Sequence, residues 1–364
     1  MSRATQATIN LKALRHNLGR VKQLAPNSQT IAIIKADGYG HGIVRVAKAL
    51  EEADKFGVAS LDEALELRSK SIRKPIVLLE GVFEASEFSK AGLQNAEIVV
   101  HHISQLEMLE EYARTASNAA SRISVWLKID TGMHRLGFPP SIVPTIWQRL
   151  QAVPLVKDIY LMTHLANADN QQDMVTKMQL QLFDKATQGF LQSPKSIANS
   201  GGVLGWPETH ADFVRPGIML YGVTPFNSGT GLDHDLQPVM TLSSELIAVN
   251  YQKKDSAIGY GGIWVCPEDM PVGVVAIGYG DGYPRHAKNG TPVLVNGKRA
   301  QLIGRVSMDM ICVDLREQPD ARVGDPVVLW GEGLPVEEIA RSSDTIGYEL
   351  LCHVTQRVKF VDKN

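Results

Sequence analysis

Residues 30–42 read "TIAIIKADGYGHG". An apolar run, Ile31 to Ile34, ends on Lys35 and opens into glycines set around a tyrosine and a histidine. A short apolar run closed by such a break predicts a buried strand that feeds a loop. The same texture recurs along the first part of the chain. Strands are expected at "IAIIK" (31–35), "FGVAS" (56–60), "PIVLLE" (75–80), "EIVVH" (97–101), "ISVWLKI" (123–129), "DIYLMTH" (158–164), "KSIANS" (195–200) and "DFVRPGI" (212–218). Amphipathic stretches separate them. Before the first strand, Leu11, Leu14, Leu18 and Val21 recur at helical steps, and Pro26 ends the run. A second helix is expected over 103–117, "ISQLEMLEEYARTAS". Alternation of short strands and helices implies a parallel sheet with crossover helices. Eight strands favour a closed (β/α)8 TIM-type barrel over an open sheet.

Beyond about residue 236 the pattern becomes β-rich: 239–252, 272–280, 292–306, 310–315 and 325–331. Asn296-Gly297 is a hairpin turn signal. One short helix is expected over 335–343, with Pro335 at its first turn. The expected class is therefore α/β, an N-terminal barrel over 1–230 and a C-terminal, mostly antiparallel β-domain over 231–364. The first strand-like residues are expected to pack on the second domain, and 224–238 is the expected linker.

The 364 residues carry 37 Lys and Arg against 39 Asp and Glu, a formal charge of −2. That balance gives no electrostatic case for nucleic acid or an anionic membrane. No apolar run is long enough to span a bilayer. "MSRATQATINL" lacks the basic-then-apolar pattern of a secretory signal, so a cytoplasmic protein is expected. Cys266, Cys312 and Cys352 are far apart and odd in number, which argues for free, buried or partly buried thiols. The histidines form no metal-ligand spacing, and no metal is expected.

In a barrel, reactive groups gather where strands end. Lys35, Lys128, His164, Ser200 and Arg215 all fall there. Each alone is ordinary. A lysine at an apolar strand end, however, loses hydration, and a less hydrated amine is freed to form an imine. "DGYGHG" brings flexible glycines and the Tyr39 hydroxyl beside it. Ser200-Gly201-Gly202 follows a short strand and offers backbone amides to a phosphate, and Gly217-Ile218 adds more. A lysine, a phosphate cradle and a barrel together point to pyridoxal phosphate. A nicotinamide enzyme is disfavoured, because no GxGxxG opens a helix after the first strand.

At this point the chain resembles the bacterial alanine racemases over essentially its whole length. "IKADGYGHG", "LKIDTGMHRLGF", "THLANAD", "ANSGG", "VRPGIMLYG", "IGYGGIW", "AIGYGDGYPR", "GRVSMDM" and "YELLC" occur in the family's order. The resemblance implies pyridoxal 5'-phosphate as cofactor, carried on Lys35. It implies phosphate contacts from Tyr39, Ser200, Gly217, Ile218 and Tyr348. His164 would pack beside the cofactor ring, and Arg215 would face the ring nitrogen. Because arginine keeps its proton, that nitrogen would stay unprotonated, which favours racemisation over transamination. Arg135 would lie close to the substrate carboxylate, where a guanidinium fork fits. Lys128 is carbamylated in some members, an anion that would brace Arg135.

Racemisation needs a proton removed on one face of Cα and delivered on the other. Lys35 is implied as the base for the D-enantiomer and Tyr260, in "AIGYGGIW", for the L-enantiomer. Tyr279, in the similar "IGYGDGY", is implied in the substrate pocket, as are Met308 and Asp309. The family assembles as a homodimer with shared active sites, and Tyr260 would come from the other chain. Departures from the family pattern are small: Asp37-Gly38 for a common Asn-Ala, His134 for a frequent glycine, Ser307 for a frequent cysteine. The implied activity is interconversion of L-alanine and D-alanine, for peptidoglycan or for alanine catabolism. Alternatives are a pyridoxal-phosphate racemase of broader specificity, an amino-acid decarboxylase on the same plan, and a non-catalytic pyridoxal-phosphate carrier. Arg135, which would hold the carboxylate that a decarboxylase expels, argues against the second. The whole C-terminal domain argues against the third.

Overall fold

The computed structural model describes residues 3–116 and 121–364. Ser117, the end of the expected helix 103–117, lies outside the described residues; that helix runs Ile103–Thr115. The chain opens with strand β1 (Gln6–Asn10) and the helix Leu11–Leu24. The Asn10 side chain caps this helix by accepting the Ala13 N–H, and Leu14, Leu18 and Val21 face inward.

Eight parallel strands then close a barrel: β2 (Gln29–Ile33), β3 (Lys55–Val58), β4 (Ile76–Leu78), β5 (Ala96–Val100), β6 (Ile123–Lys128), β7 (Val156–Met162), β8 (Lys195–Ser196) and β9 (Phe213–Val214). Each lies within or overlaps an expected strand. The last two are only two residues long, yet β9 pairs with β2 and completes the ring. Inward residues of alternate positions, Ile31, Ile33, Val77, Val99, Trp126, Met162 and Phe213, fill the barrel interior. The outward residues meet the helices.

One layer inside the barrel is ionic. The Lys55 ammonium donates to both Glu97 oxygens at 2.6 and 2.9 Å, and the Trp126 indole N–H donates to the same carboxylate at 2.7 Å. The rings of Tyr160 and Phe213 close over the ammonium at 4.5 and 4.6 Å. Removing one member strands a charge in a dry core. Glu97→Ala is expected to cost about 3–5 kcal/mol. Replacing both partners by apolar side chains, Lys55→Met with Glu97→Leu, should recover most of that loss. Urea midpoints of the two variants test the comparison.

The remaining strands are β10 (Met240–Gln252), β11 (Ala257–Ile258), β12 (Trp264–Val265), β13 (Met270–Val275), β14 (Pro292–Val295), β15 (Lys298–Ile303), β16 (Ile311–Asp314), β17 (Pro326–Trp330) and β18 (Lys359–Lys363). The order is β13-β16-β15-β14-β17-β10-β1-β18, and β10 also pairs with β13. Six strands thus form a second closed ring. Strand β10 manages both duties by a register shift between Leu246 and Ala248. Asn296 and Gly297, at φ 49° and 75°, make the expected tight hairpin between β14 and β15. Strand β1 lies antiparallel to β10 and parallel to β18, so both ends of the chain belong to the second sheet.

The segment before β10 contains a short turn, Gly231–His234, capped by Thr230 and Asp233. Buried Asn17 ties it to the first helix: its side chain donates to Leu220 and Gln237 carbonyls and accepts the Gln237 N–H. Among the described residues, no helix is long and apolar enough to cross a membrane. No cluster of His, Cys, Asp and Glu there could hold a metal ion.

Candidate active site

Lys35 stands two residues beyond β2, at the start of a turn where the sequence predicts a flexible glycine loop. It is a single left-handed helical turn. Ala36, Asp37, Gly38 and Tyr39 have φ between 52° and 61°. For an L-residue that conformation costs roughly 1–2 kcal/mol, so Ala36, Asp37 and Tyr39 need compensation, while Gly38 adopts it freely. Several contacts supply it. The Gly38 N–H bonds to the Ile34 carbonyl at 2.9 Å, and the Asp37 carboxylate accepts the Ile43 N–H at 2.7 Å. Glu63 accepts the Ala36 N–H with one oxygen and the Ala59 N–H with the other. The Tyr39 ring stacks on Tyr221 at 4.6 Å, and the Tyr221 hydroxyl donates to the Ile33 carbonyl. At Gly40 a Cβ would lie 2.2 Å from the Leu351 carbonyl oxygen, so nothing but glycine fits. The strain is held in place from several sides at the residue that must be aimed.

This turn borders a cavity of about 790 Å³ at the strand ends. Ten of the residues singled out in the sequence line it. One corner gathers Tyr39, Ser200, Gly217, Ile218 and Tyr348. There the Ser200 hydroxyl accepts the Gly217 N–H at 2.8 Å, and a Cβ on residue 217 would sit 2.6 Å from the Tyr39 hydroxyl. The Tyr39 and Tyr348 rings lie 6.1 Å apart. Burial holds both phenols well above their ordinary range, so each stays a protonated donor. The corner is a cradle of hydroxyl and amide groups kept open by a missing side chain.

Lys35, His164 and Arg215 line the same cavity, as do Lys128 and Arg135. The Arg215 guanidinium is buried and donates to the Ser196 hydroxyl at 2.6 Å and to the Thr163 and Ile197 carbonyls at 2.5 and 3.3 Å. None of these acceptors is a carboxylate, so the charge is oriented without being neutralised. Burial lowers its pKa only to about 10, and the group stays protonated at neutral pH. His164 is pushed well below its usual range, by burial first and then by Arg215, Lys128, Arg135 and Lys35. It is a neutral imidazole. Arg215 approaches its Nδ1 at 3.5 Å, which leaves the ring proton on Nε2. Lys128 is lowered to about 8, by burial and then by Arg215, Arg135 and Lys35.

The structure does not bring Tyr260, Tyr279 or Met308 to this cavity within one chain. Tyr260 sits in the turn between β11 and β12, 71% exposed, flanked by Gly259 and Gly261 at positive φ. Tyr279 and Met308 occupy neighbouring loops of the second sheet, joined by Tyr279 N–H to Ser307 O and Gly280 N–H to Met308 O bonds of 3.1 and 2.9 Å. His134 has φ 53°, which explains why a glycine suits that position.

Some contributors escaped the sequence reading. Glu63 ties the turn after β2 to the end of β3, and nothing local in "DEALEL" announces it. Asn199 caps the helix Ser200–Gly205 through the Gly202 N–H. Cys352 is exposed and lines the cavity, in contrast to the buried or partly buried thiol expected. Its place four residues after Tyr348, on one helix face, was a readable signal.

A barrel with a lysine at the end of its first strand, joined to a β-domain, defines a class of two-domain barrel enzymes. Comparison with known proteins narrows the class. Residues 9–225 match the family model "Alanine racemase, N-terminal domain" and residues 239–362 match "Alanine racemase, C-terminal domain". The chain is 54% identical to an alanine racemase of Nitrosococcus oceani, covering 97% of this chain and 98% of that one. It is 48% identical to the protein named "Alanine racemase, biosynthetic" of Escherichia coli, covering 99% of each. The crystal structure of biosynthetic alanine racemase from Pseudomonas aeruginosa is similar at a TM-score of 0.93 and 44% identity over 100% of both chains. The chain belongs to the alanine racemase family.

Proposed function

We infer that the chain is an amino-acid racemase that interconverts L-alanine and D-alanine, supplying D-alanine, with pyridoxal 5'-phosphate as its cofactor. The observation that carries this is the single cavity in which an amine, a protonated guanidinium and a hydroxyl-amide cradle meet. The cradle fits a phosphate, since Gly217 leaves a gap that a Cβ would fill. Lys35 would hold the cofactor, with Tyr39, Ser200, Gly217, Ile218 and Tyr348 on its phosphate, Arg215 toward its ring nitrogen and His164 against the ring. When bound, pyridoxal phosphate withdraws electrons from Cα of an amino acid and so acidifies its hydrogen.

The chain's own groups do the rest. The Arg215 guanidinium, protonated at neutral pH, would offer a donor toward the cofactor's ring nitrogen. Arg135 binds the substrate carboxylate and fixes which face of Cα is presented. The Lys35 Nζ takes or returns the proton on one face, on the side of D-alanine. The Tyr260 hydroxyl does so on the opposite face, on the side of L-alanine. Its exposure, away from the cavity of its own chain, supports a homodimer in which the partner supplies it together with Tyr279 and Met308. Division of the chain at 230/231 belongs to the same reading, since the capped turn Gly231–His234 opens the approach to β10. So does a cytoplasmic location, supported by three free cysteines.

Lys128 completes the site as a carbamate. Its lowered pKa makes the neutral amine abundant above about pH 8, and the neutral amine is the form that captures carbon dioxide. Uptake of one carbon dioxide should therefore increase as pH rises through that value and be absent in Lys128→Ala. Native mass spectrometry in bicarbonate buffer, against carbon-dioxide-free buffer, measures it.

The function itself is tested by incubating the purified holoenzyme separately with each L-amino acid and analysing the product on a chiral column. Alanine should racemise fastest. No D-alanine from L-alanine would refute the reading.

A further inference from the structure

The loops that carry Tyr279 and Met308 are exposed, yet they rest on the most enclosed carboxylate of the second domain. The Asp281 side chain is 1% exposed and ends the short turn Tyr279–Asp281. It accepts the Gly278 N–H at 3.0 Å. Arg3, three residues before the start of β1 on the chain's first segment, grips it with both guanidinium nitrogens at 3.1 and 3.0 Å. The same arginine donates to the carbonyls of Ala276 and Asp309, each at 3.0 Å. From the other end of the chain, Arg357 reaches Asp281 at 3.5 Å and donates to the Asp309 carboxylate at 2.6 Å. Thr355 adds its hydroxyl to the Gly280 carbonyl. Two arginines from opposite termini thus clamp two carboxylates, one in each loop.

The clamp is balanced in charge, and none of its four members lines the cavity around Lys35. Its geometry serves the loops. Met308 immediately precedes Asp309, and Tyr279 lies two residues before Asp281. A bidentate arginine on a buried carboxylate fixes backbone orientation as well as distance. We propose that Arg3 and Arg357 are positioning residues that set the placement of Tyr279 and Met308 against the substrate side chain in the partner's site. This rests on the shared-site reading above. If those two residues wall the substrate's space, as the shared-site reading has it, loosening the clamp should weaken alanine binding and relax discrimination against serine.

Arg357→Met removes the charge and keeps the aliphatic stem. It is expected to raise KM for L-alanine about tenfold with kcat little changed, the signature of lost binding that is shared by ground and transition states. The ratio of kcat/KM for L-serine to that for L-alanine should rise, and Arg357→Lys should restore part of both. Arg3→Met should act in the same direction. The thermal midpoint, the sedimentation of the dimer and the bound chromophore are followed in parallel. Unchanged KM and serine ratio would overturn the proposal, and so would dissociation of the dimer, which would make the clamp an assembly device. Failure of the underlying reading looks different: Tyr260→Phe would then racemise L-alanine as fast as the parent.

Discussion

Lys35→Ala should give a folded protein that has lost the covalent pyridoxal chromophore and more than about 10³-fold of its turnover, because covalent catalysis and one proton carrier vanish together. Folding should survive, since the turn is held by Glu63, Asp37 and the Tyr39–Tyr221 stack rather than by the lysine side chain. Borohydride reduction followed by peptide mapping provides the check. In the parent the label should appear on the peptide containing Lys35, and in the variant on none. A labelled peptide elsewhere would move the cofactor to another lysine and dismantle the site.

Tyr260→Phe should produce the complementary phenotype. The chromophore remains, while turnover from L-alanine falls by about 10²–10⁴, the usual loss for a positioned acid or base. The loss in kcat/KM should be equal from either enantiomer, whereas exchange of the Cα hydrogen of D-alanine with solvent should survive, because that first proton transfer belongs to Lys35. The two variants also test whether the site is shared. Mixed, unfolded and refolded together, they should regain about a quarter of parent activity, since random pairing makes about half hybrid dimers with one intact site each. Were both groups supplied by one chain, no hybrid would be active. A mixture as inactive as its components would therefore exclude the partner's contribution.

Much of this architecture was written plainly in the residues. The eight barrel strands are short apolar runs between turn signals, and that pattern survives because both faces of a barrel strand are buried. The Asn296-Gly297 hairpin was legible because both residues tolerate positive φ. Site residues were legible where they followed a strand end: Lys35, His164 and Arg215 all border the cavity. Other features depend on partners distant in sequence. The parallel pairing of β1 with β18 joins the two ends of the chain, and no local periodicity encodes it. The Lys55–Glu97 pair spans 42 positions and became visible only when the barrel closed. The left-handed turn was hidden because Ala36 and Tyr39 have no intrinsic preference for it; tertiary contacts impose it. Tyr260 is recognisable by motif, while a place opposite Lys35 would require an assembly of two chains, since it lies exposed and away from the cavity of its own chain.

The turn after β2 also orders events in time. Its closest neighbour at Gly40 is the Leu351 carbonyl, and Leu351 leaves the ribosome more than three hundred residues after Lys35. A nascent or clipped chain that stops at the barrel lacks the surface against which this turn is pressed, and relaxation out of the left-handed conformation is downhill. Final setting of the Lys35 turn is therefore expected to wait for the last segment of the polypeptide, because Glu63, Asp37 and the Tyr39–Tyr221 stack hold it only in part before then.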